Sequence, residues 1–233
     1  GAGHARLQCS QRHAGTALLV TVALGAQAME DASIYSYALV EAGAAKVRGA
    51  AGSVQSLAVD GWIGGDFNRL WYSLDAEQRS GRTEAAELQV LYGRYIRPFW
   101  DAQIGLRRDE RPQQRDYLAL GVRGLAPYAF DVDLKLFIRD DGKVFARTRF
   151  ENSFLITNRF IVSPSVDLEW SASDIDTTVR RGAYQVDVGV QARYEFNRRV
   201  APYLGLKRTF YPRSQSGGET AATQWQAGLR LLF

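Results

Sequence analysis

The chain has 233 residues with five Trp, eleven Tyr and eleven Phe, enough for one domain with a sizeable core. A hydrophobic content of 46% excludes a disordered chain, and a single Cys excludes a disulfide scaffold or a thiolate metal cluster. The net charge of +4 is dispersed, and no basic stripe interleaved with aromatics argues for nucleic acid as a partner.

In chain order, the first element is an export signal. Ala14 to Ala28 is a short apolar run preceded by Arg12 and His13 and ending in Ala26-Gln27-Ala28, a small-x-small cleavage site. Residues 1–28 therefore read as a signal peptide or leader, and 29–233 as the mature domain. Removing 1–28 takes away Arg6 and Arg12, both His residues and the only Cys, and lowers the net charge from +4 to +2. After it, no apolar run approaches the roughly 20 residues that a spanning helix needs.

From residue 33 onward the period is two, the signature of strands. In the stretch from Trp100, Ala102, Ile104 and Leu106 alternate with Asp101, Gln103, Gly105 and Arg107. Phe130, Val132, Leu134, Leu136 and Ile138 alternate with Asp131, Asp133 and Lys135. Phe160, Val162, Val166, Leu168 and Trp170 alternate with Ser163, Ser165, Asp167 and Glu169. Tyr184, Val186, Val188, Val190, Ala192 and Tyr194 alternate with Gln185, Asp187, Gly189, Gln191 and Arg193. The chain ends in the strictest alternation, with Trp225, Ala227, Leu229, Leu231 and Phe233 on one face.

Half-buried strands of a soluble sandwich also alternate. These runs, however, are about ten residues long, where soluble strands average about 5–6, and they carry aromatics at the ends of their apolar faces. The polar face is dense in charge of both signs, as a wet lumen permits. The expected fold is therefore all-β, a transmembrane antiparallel up-and-down β-barrel.

Approximate strands are 33–42, 54–64, 68–78, 84–95, 99–107, 116–124, 128–138, 143–155, 159–170, 183–196, 200–210 and 222–233. That gives about 12, with 10 as the alternative because the first two are the least regular. Short links alternate with long ones, which places the short turns in the periplasm and the long loops outside. The expected location is the outer membrane of a Gram-negative cell, in contact with its lipid, as a monomer.

Four segments resemble a known family: Asp60-Gly61-Trp62-Ile63-Gly64-Gly65-Asp66-Phe67-Asn68-Arg69-Leu70-Trp71, Pro98 to Gly105, Gly121 to Tyr128, and Arg199 to Gly205. Together they are similar to the outer-membrane copper resistance protein B family. The resemblance implies a small outer-membrane barrel acting in periplasmic copper tolerance, and cooperation with a periplasmic multicopper oxidase. Members often carry a Met- and His-rich segment before the barrel, whereas here Met29 leads almost directly into it.

The mature domain has no His to activate a serine nucleophile, and no phosphate-cradling glycine loop, so no enzymatic activity is expected. Function should lie in the lumen. Its inward carboxylates include Asp131, Asp133, Asp167, Glu169 and Asp187, and their expected basic partners are Arg107, Arg123, Arg147 and Arg149. One reading makes these charges salt-bridged plugs that hold a narrow barrel rigid. The other makes Asp167, Glu169 and Asp187 a cluster that guides or binds a copper ion, for which carboxylate oxygens suit Cu(II) weakly. A narrow general porin or structural barrel is the alternative to copper tolerance.

Overall fold

The computed structural model describes residues 33–48, 52–79, 82–111, 113–172, 182–212 and 221–233. The expected signal at 1–28 lies outside the described residues. Within them the strands are β1 (Tyr35–Val47), β2 (Val54–Gly64), β3 (Asn68–Arg79), β4 (Arg82–Arg97), β5 (Trp100–Arg111), β6 (Arg115–Ala126), β7 (Phe130–Arg139), β8 (Val144–Glu151), β9 (Phe154–Leu155), β10 (Phe160–Ser171), β11 (Gly182–Tyr194), β12 (Val200–Phe210) and β13 (Ala221–Leu232). Each is antiparallel to its sequence neighbour except that β8 and β9 both pair with β10, and β1 pairs with β13 from Leu39–Leu232 to Val47–Gln224. The sheet thus closes as an antiparallel barrel of twelve staves, β8 and β9 being two parts of one. Closure leaves no open edge, which is what lets strands lie in lipid.

The expected strand 143–155 is the one interrupted. The break falls at Asn152-Ser153, opposite Pro164 of β10, whose ring leaves no N–H to donate to the ladder. The Asn152 N–H still donates to the Pro164 carbonyl at 3.1 Å, its Nδ2 donates to the Tyr128 carbonyl at 3.0 Å, and Ser153 shares a 2.9 Å hydroxyl hydrogen bond with Ser163.

Other strands run further than their apolar alternation. β1 continues past Gly43 to Val47, because Gly43 and Gly228 are register partners roofed by the Tyr203 phenol. A Cβ on Gly43 would stand 2.6 Å from that hydroxyl and 2.9 Å from the Ala227 carbonyl. β3 and β4 extend until only residues 80–81 separate them, and β5 reaches Arg111. At this end the outward residues become charged while the hydrogen-bond ladder continues, so the staves rise beyond the apolar band.

The opposite end has tight reversals. Phe99 (φ 67°), Tyr128 (φ 64°) and Ala129 (φ 59°) adopt left-handed backbone there. The two-residue link Pro98-Phe99 and the three-residue link Pro127–Ala129 reverse the chain through such angles, and without glycine each is strained by about 1 kcal/mol or more.

The outer wall carries exposed apolar side chains such as Ile104, Leu106, Leu204 and Trp225, a continuous surface that fits lipid rather than water. Buried apolar side chains lie inside instead: Leu91, Ala119 and Phe137, packed by Trp71, Tyr117 and Phe145.

Candidate functional site: the ionic lumen

Cross-strand register decides which inward residues meet. One line runs Asp101, Arg123, Asp133, Arg149, Asp167, Asp187 across β5, β6, β7, β8, β10 and β11, each paired with the next. Charge alternates along it until the last step, where Asp167 and Asp187 face each other. Like charges directly opposite are unfavourable unless each has its own counter-ion.

Each does. Arg149 Nε donates to Asp167 Oδ1 at 2.6 Å. Lys207 of β12 sits 2.7 Å from Asp187 Oδ2, which also accepts from Gln185 at 3.1 Å. Glu169 accepts from Arg147 Nε at 3.0 Å and from the Tyr184 hydroxyl at 2.7 Å. The three carboxylates expected to gather round a metal ion thus share one wall, and each is held by a different cation. Among the described residues, no three His, Cys, Asp or Glu side chains come together as a metal-holding group.

Tyr184 was expected on the outer face with Val186 and Val188, and its hydroxyl reaches into the lumen instead. Pairing slips beside it, Glu169 meeting Gln185 and Trp170 meeting Ala183, so one extra residue is accommodated and the side chain is re-aimed. Asp66, in the same sequence phase as the inward Asp60, is exposed in the turn between β2 and β3.

The other expected residues lie on the adjoining staves β5 to β8. Asp133 pairs with Lys135 two positions along its own strand at 3.2 Å, although Arg123 and Arg149 flank it in register. Asp131 faces Glu151 across β7 and β8. Arg123 reaches four staves away to Asp60 at 3.3 Å and lies 4.7 Å from the centre of the Trp71 ring. Arg107 sits on Glu87 at 2.8 Å and Asp109 at 2.8 Å, with its guanidinium 4.7 Å from the Phe137 ring. Arg147 joins Glu87 at 3.0 Å as well as Glu169. Trp62 and Trp71 lie 6.2 Å apart, and the cation above Trp62 is Arg69 at 4.7 Å, itself paired with Asp101 at 3.0 Å.

Sequence reasoning missed Glu87, Lys207 and the apolar plug. The plug is one register line, Trp71, Leu91, Gly105, Ala119, Phe137 and Phe145. Beside it, Asp60, Gln89, Gln103, Arg123 and Lys135 line a cavity of about 10 Å³, room for about one water. Where β7 leaves the lumen, Asp141 accepts from the Arg139 guanidinium and the Lys143 backbone N–H, which hold its carboxyl well below the usual carboxylate range. The lumen is therefore a braced, narrow interior of paired charges and aromatic faces rather than an open channel wall.

Comparison with solved structures places the fold among porins. The barrel is similar to the NanC porin (TM-score 0.61, 12% identity, covering 82% of this chain and 98% of that one). It is also similar to the KdgM porin (TM-score 0.56, 10% identity, covering 84% and 99%). By sequence it is 36% identical over 186 residues to copper resistance protein B of Escherichia coli, covering 76% of this chain and 63% of that protein. It is 32% identical over 191 residues to a copper resistance protein B homolog of Pseudomonas syringae pv. tomato, covering 78% of this chain and 65% of that protein. The chain thus spans just under two thirds of the length of these relatives. Residues 40–233 match the family described as copper resistance protein B precursor (CopB), and with the closed porin-like barrel this establishes that the chain belongs to the copper resistance protein B family of outer-membrane barrels.

Proposed function

We propose that this barrel serves periplasmic copper tolerance without catalysing a reaction, and that copper meets it in the lumen, along the wall of β10 and β11. The observation that carries this reading is the step in the charged register line where Asp167 faces Asp187, with Glu169 two residues away. Everywhere else along that line a cation already stands between carboxylates. Residues 33–233 contain no His, Cys or Met, so the ligands on offer are oxygens. Oxygen donors suit Cu(II) and other hard divalent ions and give no grip on Cu(I). Binding would be weak and exchangeable, which fits efflux or transient sequestration better than storage.

The test is conductance of the refolded barrel in a planar bilayer with and without Cu(II), beside complementation of a copper-sensitive deletion strain. Asp167→Asn/Glu169→Gln/Asp187→Asn should lose the Cu(II) effect on current and fail to restore growth on copper. Full restoration by the triple variant, with an unchanged response to Cu(II), refutes the lumen reading.

A second reading has its own observation. The short-turn end presents Phe99, Tyr128, Ile156 and Phe196 exposed, with Arg97, Arg159, Arg198 and Arg199 among them. Such a face suits a periplasmic partner, and a multicopper oxidase is the one the family resemblance implies. Substituting these turn residues would then abolish copper tolerance while conductance stays unchanged.

A further inference from the structure

We infer that Arg147 is the residue that closes this lumen to cations. Its fork donates to both oxygens of Glu87, Nη1 to Oε1 at 3.0 Å and Nη2 to Oε2 at 3.4 Å, while Nε donates to Glu169 Oε1 at 3.0 Å. β4, which carries Glu87, lies four staves from β8, so this contact cuts across the interior instead of following the wall.

The bridge continues at both ends. Arg107 of β5 sits on Glu87 at 2.8 Å, and Tyr184 of β11 donates to Glu169 at 2.7 Å. The guanidinium carbon lies 5.7 Å from the Phe137 ring, which ties the bridge to the apolar plug. Arg147 remains 34% exposed, so it belongs to the wet interior through which an ion would travel. Arg149, two residues along the same strand, is the natural contrast. It is 60% exposed, and its ion pair among the described residues is with Asp167 on the adjacent stave.

A guanidinium stays charged at every working pH, and a fixed positive charge at a constriction repels cations. Here it also neutralises Glu87 and Glu169. Remove the charge and Glu87 keeps Arg107 while Glu169 is left without its cation, so the constriction turns acidic and attracts cations. The inference deepens the lumen reading above and rests on traffic through the lumen, though not on copper as the cargo.

The experiment uses the full refolded chain in planar bilayers under a KCl gradient. Arg147→Gln should raise conductance several-fold over the wild type and move the reversal potential toward the K⁺ equilibrium value. Arg149→Gln frees Asp167 on the wall but leaves the bridge shut, so its conductance should stay near wild type. The neutralised set Glu87→Gln/Arg147→Met/Glu169→Gln removes the bridge without stranding a charge, and should conduct without cation preference. It decides the matter if Arg147→Gln alone fails to give the heat-modifiable folded band. Wild-type current and reversal potential in Arg147→Gln, an equal conductance gain from Arg149→Gln, or a neutralised set that conducts no more than wild type each overturns the inference. A lumen opened by Arg147→Gln, together with a copper phenotype untouched by the Asp167/Glu169/Asp187 variant, would refute the copper reading alone.

Discussion

Phe137→Ala measures whether the lumen is packed. Phe137 is 1% exposed, meets Tyr117 edge-on with centroids 6.4 Å apart, and presents its face to Arg107 at 4.7 Å and Arg147 at 5.7 Å. Truncating a fully buried Phe leaves a cavity and costs about 3–5 kcal/mol. Two guanidinium groups also lose a ring face, at about 0.5–1 kcal/mol each. The expected loss is therefore about 4–7 kcal/mol, read from urea unfolding of the refolded barrel in detergent micelles. Leu136→Ala on the lipid side of the same strand is the control. An outward Leu loses only its transfer from water to detergent and leaves no cavity, so its loss should stay at about 1–2 kcal/mol. Equal losses at the two positions would refute the reasoning, because a hydrated pore, not a packed plug, would then surround Phe137.

Other expectations follow from the same contacts. Lys207→Met leaves Asp187, whose side chain is 7% exposed, without its 2.7 Å partner, and should destabilise the barrel by about 3 kcal/mol, with Asp187→Asn recovering most of it in a double-mutant cycle. Gly228→Val drives a side chain into the Ala42 carbonyl and the Tyr203 phenol at the β1–β13 seam, and should abolish the heat-modifiable band. Gly43→Ala should lose about 1–3 kcal/mol, part of it regained with Tyr203→Phe, because only one of its two close contacts is the phenol oxygen. In single-Trp variants, brominated lipid should quench Trp225 and Trp170, which are 62% and 42% exposed, and spare Trp71 in the plug.

The barrel was legible because lipid and lumen impose opposite chemistry on successive residues, so a period of two survives in every long strand. What escaped were places where another force sets the backbone. Gly43 reads as a break because glycine is poor in strands, yet here the missing side chain makes room for Tyr203. Pro164 sits unnoticed inside an alternating run, and its effect falls on the neighbouring stave, which interrupts at Asn152. Tyr184 keeps the outward phase in sequence, and only the slipped pairing beside Trp170 turns it inward.

The site was legible by phase and illegible by partner. Arg107, Arg123, Arg147 and Arg149 stand in the polar phase of their strands, but Arg123 is register partner to Asp133 while its ion pair is with Asp60, four staves away. Strand tilt and side-chain length select such pairs, and neither is written in one strand's alternation. Glu87 and Lys207 could still have been found, since Glu87, Gln89 and Leu91 oppose Leu88, Val90 and Tyr92, just as Gly205, Lys207 and Thr209 oppose Leu204 and Leu206. The plug left the plainest trace. Trp71, Leu91, Tyr117, Phe137 and Phe145 are large apolar residues standing in the polar phase of their strands. A wide water-filled pore has no use for any of them. On separate staves they read as irregularities, but Trp71, Leu91, Phe137 and Phe145 fall on one register line, and hydrophobic burial along that line draws the β3–β8 wall together. The buried ring of Phe137 in turn gives Arg147 and Arg107 a face to rest on, so the apolar row and the ionic bridge close the lumen as one structure.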